Sequence, residues 1–68
     1  MDWEKWEGKK VFLRTDKDKV FSGIVKEVAD IGDGIIFISL IDRFGLWITV
    51  PVSKIAELKE EVEKNGQP

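Results

Sequence analysis

With 68 residues, a formal net charge of −2, no cysteine and no histidine, the chain is one small domain without a disulfide or a thiolate zinc site. The missing residues are the commonest metal ligand and the commonest general acid–base group, and no apolar run approaches the roughly 20 residues of a membrane-spanning helix. The expectation is a cytoplasmic protein that is not an enzyme and holds no metal or cofactor. Charged residues of both signs make up 35% of the chain, the Lys- and Glu-rich composition associated with hyperthermophile proteins.

Residues 1–8 carry Trp3 and Trp6, whose spacing puts both indoles on one face of a helical turn. Packing over an open end of the domain is the preferred reading and a base-stacking platform the alternative. The opening MDWEKWEGKK lacks the apolar stretch of a signal peptide. From Lys9 the pattern changes. Val11 and Leu13 alternate with Lys10, Phe12 and Arg14, the period of a half-buried strand. The charged turn from Thr15 to Lys19 leads into a long second strand, Val20 to Val28, with Gly23 inside it. A glycine there marks a sharp bend or a close backbone approach, and a bent strand can serve both sides of a very small barrel.

A loop is expected over residues 29–34, where two aspartates and two glycines fall within six residues. It lacks the ligand ladder and terminal glutamate of a calcium loop, so no metal is expected. Residues 35–41, IIFISLI, form a third strand apolar on both faces, whose outer side needs a partner. Asp42-Arg43-Phe44-Gly45 then turns the chain into a fourth strand from Leu46 to Val50, which Pro51 ends before a 3₁₀-like turn. From Ile55 two readings stand. Ile55, Leu58 and Val62 have helical spacing, with Ser53 as a cap and Asn65-Gly66 as a stop. A five-stranded barrel, however, needs residues 55–60 as its last strand, and that reading is preferred. The organisation is then an N-terminal Trp-containing segment (1–8), a β-barrel domain (9–60) and an acidic tail (61–68).

No phosphate-binding glycine loop, Ser-His-Asp set or HExxH occurs, and the paired carboxylates (Asp16 with Asp18, Asp30 with Asp33) lie in charge-rich loops. The charge distribution is more informative. Lys9, Lys10, Arg14, Lys17, Lys19 and Lys26 oppose only Asp16 and Asp18 in residues 9–26, a local net of +4 on an acidic chain. With Phe12 and Phe21 in the same hairpin, such a surface can follow a phosphate backbone. It can equally be a strand edge kept soluble by lysines.

The run GKKVFLR, followed by VFSGIVKEV with its internal glycine and then by residues 35–40 and 47–55, resembles the Sm-like (LSm and Hfq) family of small SH3-like barrels over about 50 residues. The resemblance implies an all-β, five-stranded SH3-like barrel with a 3₁₀ turn before its last strand. It also implies a ring-forming homo-oligomer that binds single-stranded, often uridine-rich, RNA. The loop starting at Asp30 lacks the Asn of the family's RNA-binding signature, and Pro51-Val52 stands where an Arg-Gly or Lys-Gly pair is usual. The expectation carried forward is a non-enzymatic binding module. Its leading form binds single-stranded RNA or DNA weakly through the six basic residues, with Trp47 and Phe44 as stacking residues if exposed. For Trp47 a packing role is the preferred reading. The alternative form is a protein-interaction or self-assembly module using the outer face of residues 35–41.

Overall fold

The computed structural model describes residues 3–61 and shows an all-β fold. A 3₁₀ turn, Trp3–Trp6, precedes strands β1 (Lys10–Thr15), β2 (Val20–Asp30), β3 (Ile36–Ile41) and β4 (Trp47–Pro51). A second 3₁₀ turn, Val52–Lys54, leads to β5 (Ile55–Glu60). The strands form one antiparallel sheet in the order β4-β3-β2-β1-β5. Between the outermost strands β4 and β5 the chain has only Val52–Lys54. In a flat sheet those strands would lie about 19 Å apart, at 4.7–4.9 Å per neighbour. A 3₁₀ turn advances only ~2 Å per residue, so the short link forces the sheet to curl.

The curl gathers one face of every strand into a single core. Val11, Leu13, Val25, Ile38, Leu40 and Val50 are buried, with Phe21, Val28, Ile48, Ile55 and Leu58 packed around them. Trp6 also packs on this cluster, so one of the two N-terminal tryptophans is a packing residue. Its turn is fastened by the Glu7 carboxylate, which accepts the Val28 N–H at 3.0 Å, and by the Gly8 N–H, which donates to the Val25 carbonyl at 2.8 Å.

Gly23 lies at the inner-face position opposite Val11. A Cβ there would meet the Ile41 carbonyl group and the Leu40 side chain. Of the two uses expected of this glycine, a sharp bend or a close backbone approach, the structure shows the close approach, to β3. Beyond it the register of β2 against β3 shifts between Val25 and Glu27, and this bulge keeps Val25 and Val28 both on the core face. The strand consequently runs on to Asp30, two residues past the sequence expectation, because Ala29 and Asp30 pair with Phe37 and Ile36. The loop shortens to 31–35.

The β3–β4 turn is built on Asp42, whose carboxylate accepts the N–H groups of Phe44 (2.8 Å) and Leu46 (3.0 Å). Gly45 supplies the left-handed residue the turn requires, at φ 84°. Replacing Asp42 with alanine removes both acceptors, and we expect a loss of about 1–2 kcal/mol in urea unfolding, with faster hydrogen exchange at Phe44 and Leu46. At the other hairpin the Thr15 hydroxyl accepts the N–H groups of Lys17 (3.3 Å) and Lys19 (3.1 Å). The Asp16 N–H donates to the Lys54 carbonyl at 2.8 Å, tying this turn to the 3₁₀ turn before β5.

Residues 55–60 form the last strand, the preferred of the two sequence readings, because β5 completes the pairing of β1. The expected acidic tail lies, except for Glu61, outside the described residues.

Candidate binding surface

Strand register decides where each basic residue stands. Lys9 pairs through its backbone with Val25, which puts it in phase with the inner face, and its ammonium lies 3.6 Å from the Glu60 carboxylate. Lys10, one residue on, belongs to the outer face opposite Ile24. Arg14 is also on the outer face, but its guanidinium is shared between Glu57 and Asp18, each at 3.3 Å. Lys17 and Lys19 are exposed in the β1–β2 turn and Lys26 at the β2 bulge. Among the described residues Lys10, Lys17, Lys19 and Lys26 have no ion-pair partner, yet each of the last three has an acidic neighbour in the chain: Asp16 and Asp18, or Glu27. The basic residues contiguous in sequence are thus divided between two faces and a turn, and two of the six are already engaged by carboxylates.

The aromatics divide as well. Phe21 packs against the core, and Phe12 carries the Lys59 ammonium 5.3 Å from its ring centre. Trp47 and Phe44, by contrast, are 60% and 75% exposed. The packing role preferred for Trp47 is therefore not what the structure shows. Its position in β4 is out of phase with Ile48 and Val50, which face the core, so the indole projects from the outer face. The Arg43 guanidinium stands 5.1 Å from the Phe44 ring centre at the hairpin tip.

Trp47 is part of a larger arrangement. It pairs with Ile41, which pairs with Ile24, which pairs with Lys10. A single row thus crosses four strands on the outer face, with a cation at one end, an indole at the other and two isoleucines between. Ile24 is exposed, as is Leu46 just beyond the row. Next to the row, Val20, Ser22, Ile24, Ile41 and Phe44 help to line an open groove of about 700 Å³. The hydroxyl of Ser22 donates to the Glu61 carboxylate there at 2.7 Å. Sequence reasoning named Phe44 and Trp47 but not Ile24 or Leu46. The only signal for Ile24 was its phase, one residue from the core position Val25.

A second recess, about 270 Å³, lies between the N-terminal 3₁₀ turn and β5, lined by Trp3, Trp6, Ile55 and Leu58 among others. Among the described residues no three His, Cys, Asp or Glu side chains are grouped so as to hold a metal ion, and no helix is long and apolar enough to cross a membrane. No protein-family model matches the chain, and neither the curated proteins nor the solved structures include a match to it.

Proposed function

We propose that this protein is a non-enzymatic, cytoplasmic binding module that docks on protein through the outer face of β2, β3 and β4. The observation that carries this reading is the exposed apolar surface of Ile24, Leu46, Trp47 and Phe44, continuous through Ile41. Adjoining exposed apolar side chains beside a groove are the usual substance of a protein-interaction surface, and buried Trp anchors supply much of the energy of such contacts. Polyanion binding, in contrast, draws on a continuous positive field. Here Arg14 and Lys9 are paired, and Lys17, Lys19 and Lys26 each adjoin a carboxylate in the chain. An Sm-like barrel is the architecture this reading assumes. The five-strand order and the 3₁₀ turn before β5 are consistent with it.

The specific feature favouring a second reading, weak single-stranded nucleic-acid binding, is the pair of exposed aromatics Phe44 and Trp47, with Arg43 over Phe44. The two readings separate in one comparison. The wild type, the double variant Lys17→Ala/Lys19→Ala and the single variant Ile41→Glu are each followed by sedimentation and by titration with oligo(U) RNA. We expect Ile41→Glu to remove protein association and the lysine variant to keep it, with RNA producing no saturable change. Salt-sensitive RNA binding that the lysine variant loses and Ile41→Glu keeps would instead establish the nucleic-acid reading.

A further inference from the structure

We infer that the groove beside the outer face is a strand-addition site, where an extended, acidic and apolar peptide segment of a partner protein pairs with an open edge of β2; this rests on the docking reading above. The first half of β2 has a neighbour on one side only. Residues 20–24 pair with β1, whereas pairing with β3 begins at Ile24↔Ile41, and from Asp42 the chain turns away towards β4. One edge of residues 20–23 is therefore uncovered, about 13 Å of strand at ~3.3 Å per residue.

The phase of the β1–β2 ladder says which groups stand on that edge. The Thr15 N–H donates to the Lys19 carbonyl at 2.8 Å, and the Val25 N–H donates to the Lys9 carbonyl at 3.0 Å. Bonded positions in an antiparallel pair recur at every second residue, so Lys19, Phe21, Gly23 and Val25 turn their backbone groups to β1. Val20 and Ser22 turn theirs the other way. Among the described residues nothing on that side bonds to their N–H or carbonyl groups, because the β3–β4 turn bonds to itself, Asp42 N–H to the Leu46 carbonyl and Gly45 N–H to the Asp42 carbonyl. Two donors and two acceptors thus stand in the alternating pattern that an incoming strand reads.

The surroundings of the edge select the chemistry of the incoming chain. The groove of about 700 Å³ has apolar walls from Val20, Phe21, Ile24, Ile41, Phe44 and Ile48. A strand laid there continues the line of β3 beyond Ile41 and can lodge every second side chain against those walls. Lys10 and Arg43 also border the groove, and neither has an ion pair among the described residues. The two carboxylates beside them are already engaged, Asp42 by the N–H groups of Phe44 and Leu46, and Glu61 by the Ser22 hydroxyl. The donors left unspent are cationic, so the segment that fits carries carboxylates among its apolar residues.

The test selects binders from short random peptides on the full-length chain, then measures amide hydrogen exchange of the labelled protein with and without the best of them. In the free protein the N–H groups of Val20 and Ser22 should exchange fast, and those of Phe21 and Gly23 slowly. The selected peptide should alternate apolar and acidic residues and slow exchange at Val20 and Ser22 by roughly tenfold or more. N-methylation of the peptide at the residues facing the edge should weaken binding roughly tenfold per site, and at the residues between them should leave it nearly unchanged. Arg43→Glu, shown by circular dichroism to be folded, should also weaken binding roughly tenfold. Free-protein exchange at Val20 and Ser22 as slow as at their neighbours, or the absence of any binder, overturns the inference. A peptide that shifts Ile24, Leu46 and Trp47 without slowing Val20 and Ser22 keeps the docking face and overturns strand addition. Binders confined to β5 or the Trp3–Trp6 turn overturn the docking reading itself. Binding that Arg43→Glu leaves unchanged overturns the acidic character of the segment.

Discussion

Gly23→Ala is expected to leave the chain largely unfolded under conditions in which the wild type is folded. The added methyl would sit 2.8 Å from the Ile41 carbonyl carbon and closer still to its oxygen, with the Leu40 Cδ1 at 2.9 Å on another side. Two of these atoms are backbone, in a strand held by pairing on both sides, so neither can rotate away as a side-chain end could. The glycine is required for this close approach and not for an unusual backbone angle, since it is absent from the positive-φ positions. Overpacking commonly costs about 1–3 kcal/mol and more when backbone must move. A core of this size rarely supplies more than about 3–5 kcal/mol. Urea unfolding followed by circular dichroism reads the result. A midpoint within a few tenths molar of the wild type would mean that β2 and β3 do not approach as described.

Leu13→Ala comes second in size. Leu13 is fully buried at the centre of β1, with Phe21 as its neighbour on β2 and Leu58 on β5. Truncating a buried leucine typically costs about 2–5 kcal/mol, through the transfer of the lost methyl groups and the cavity left behind. The upper part of that range applies because pairing on both sides fixes the walls of the cavity. Phe12→Ala is the control: it lies one residue away on the opposite face, half-exposed under Lys59, and should cost about 1 kcal/mol. Thermal unfolding of the two variants side by side checks the inward–outward alternation of β1. Equal losses would contradict it.

What the sequence disclosed, and what it withheld, follows from the range of the forces involved. The alternation of Val11 and Leu13 against Lys10, Phe12 and Arg14 is local, and it appears unchanged in the strand. Gly23 announced a bend or a close backbone approach, because a glycine inside a strand has few other uses, and the approach to β3 is what the structure shows. For residues 55–60 the local signal was misleading, since Ile55, Leu58 and Val62 have helical spacing. The need for a fifth strand overrode it, and Leu58 pairs with Leu13. The bulge between Val25 and Glu27 has no such signature, and without it the register of β3 is unknown.

The same gap explains the site. Counted along the chain, Lys9 and Arg14 belong to a basic hairpin, while Glu57 and Glu60 belong to an acidic end segment. Folding lays β5 beside β1 and neutralises the first two with the second two. The row from Lys10 to Trp47 draws one residue from each of four strands, so no window of sequence contains it. Exposure of Trp47 was likewise a matter of phase against Ile48 and Val50, which three apolar residues in four positions do not reveal.

The central claim is that the outer face of β2, β3 and β4 is the working surface of this protein. Backbone amide shifts of the labelled full-length chain, recorded as it is diluted from millimolar to micromolar concentration, test it most directly. The account predicts concentration-dependent shifts grouped on Ile24, Ile41, Leu46 and Trp47, with β5 and the Trp3–Trp6 turn unmoved. Shifts grouped instead on β5 or around Trp3 and Trp6 would contradict it.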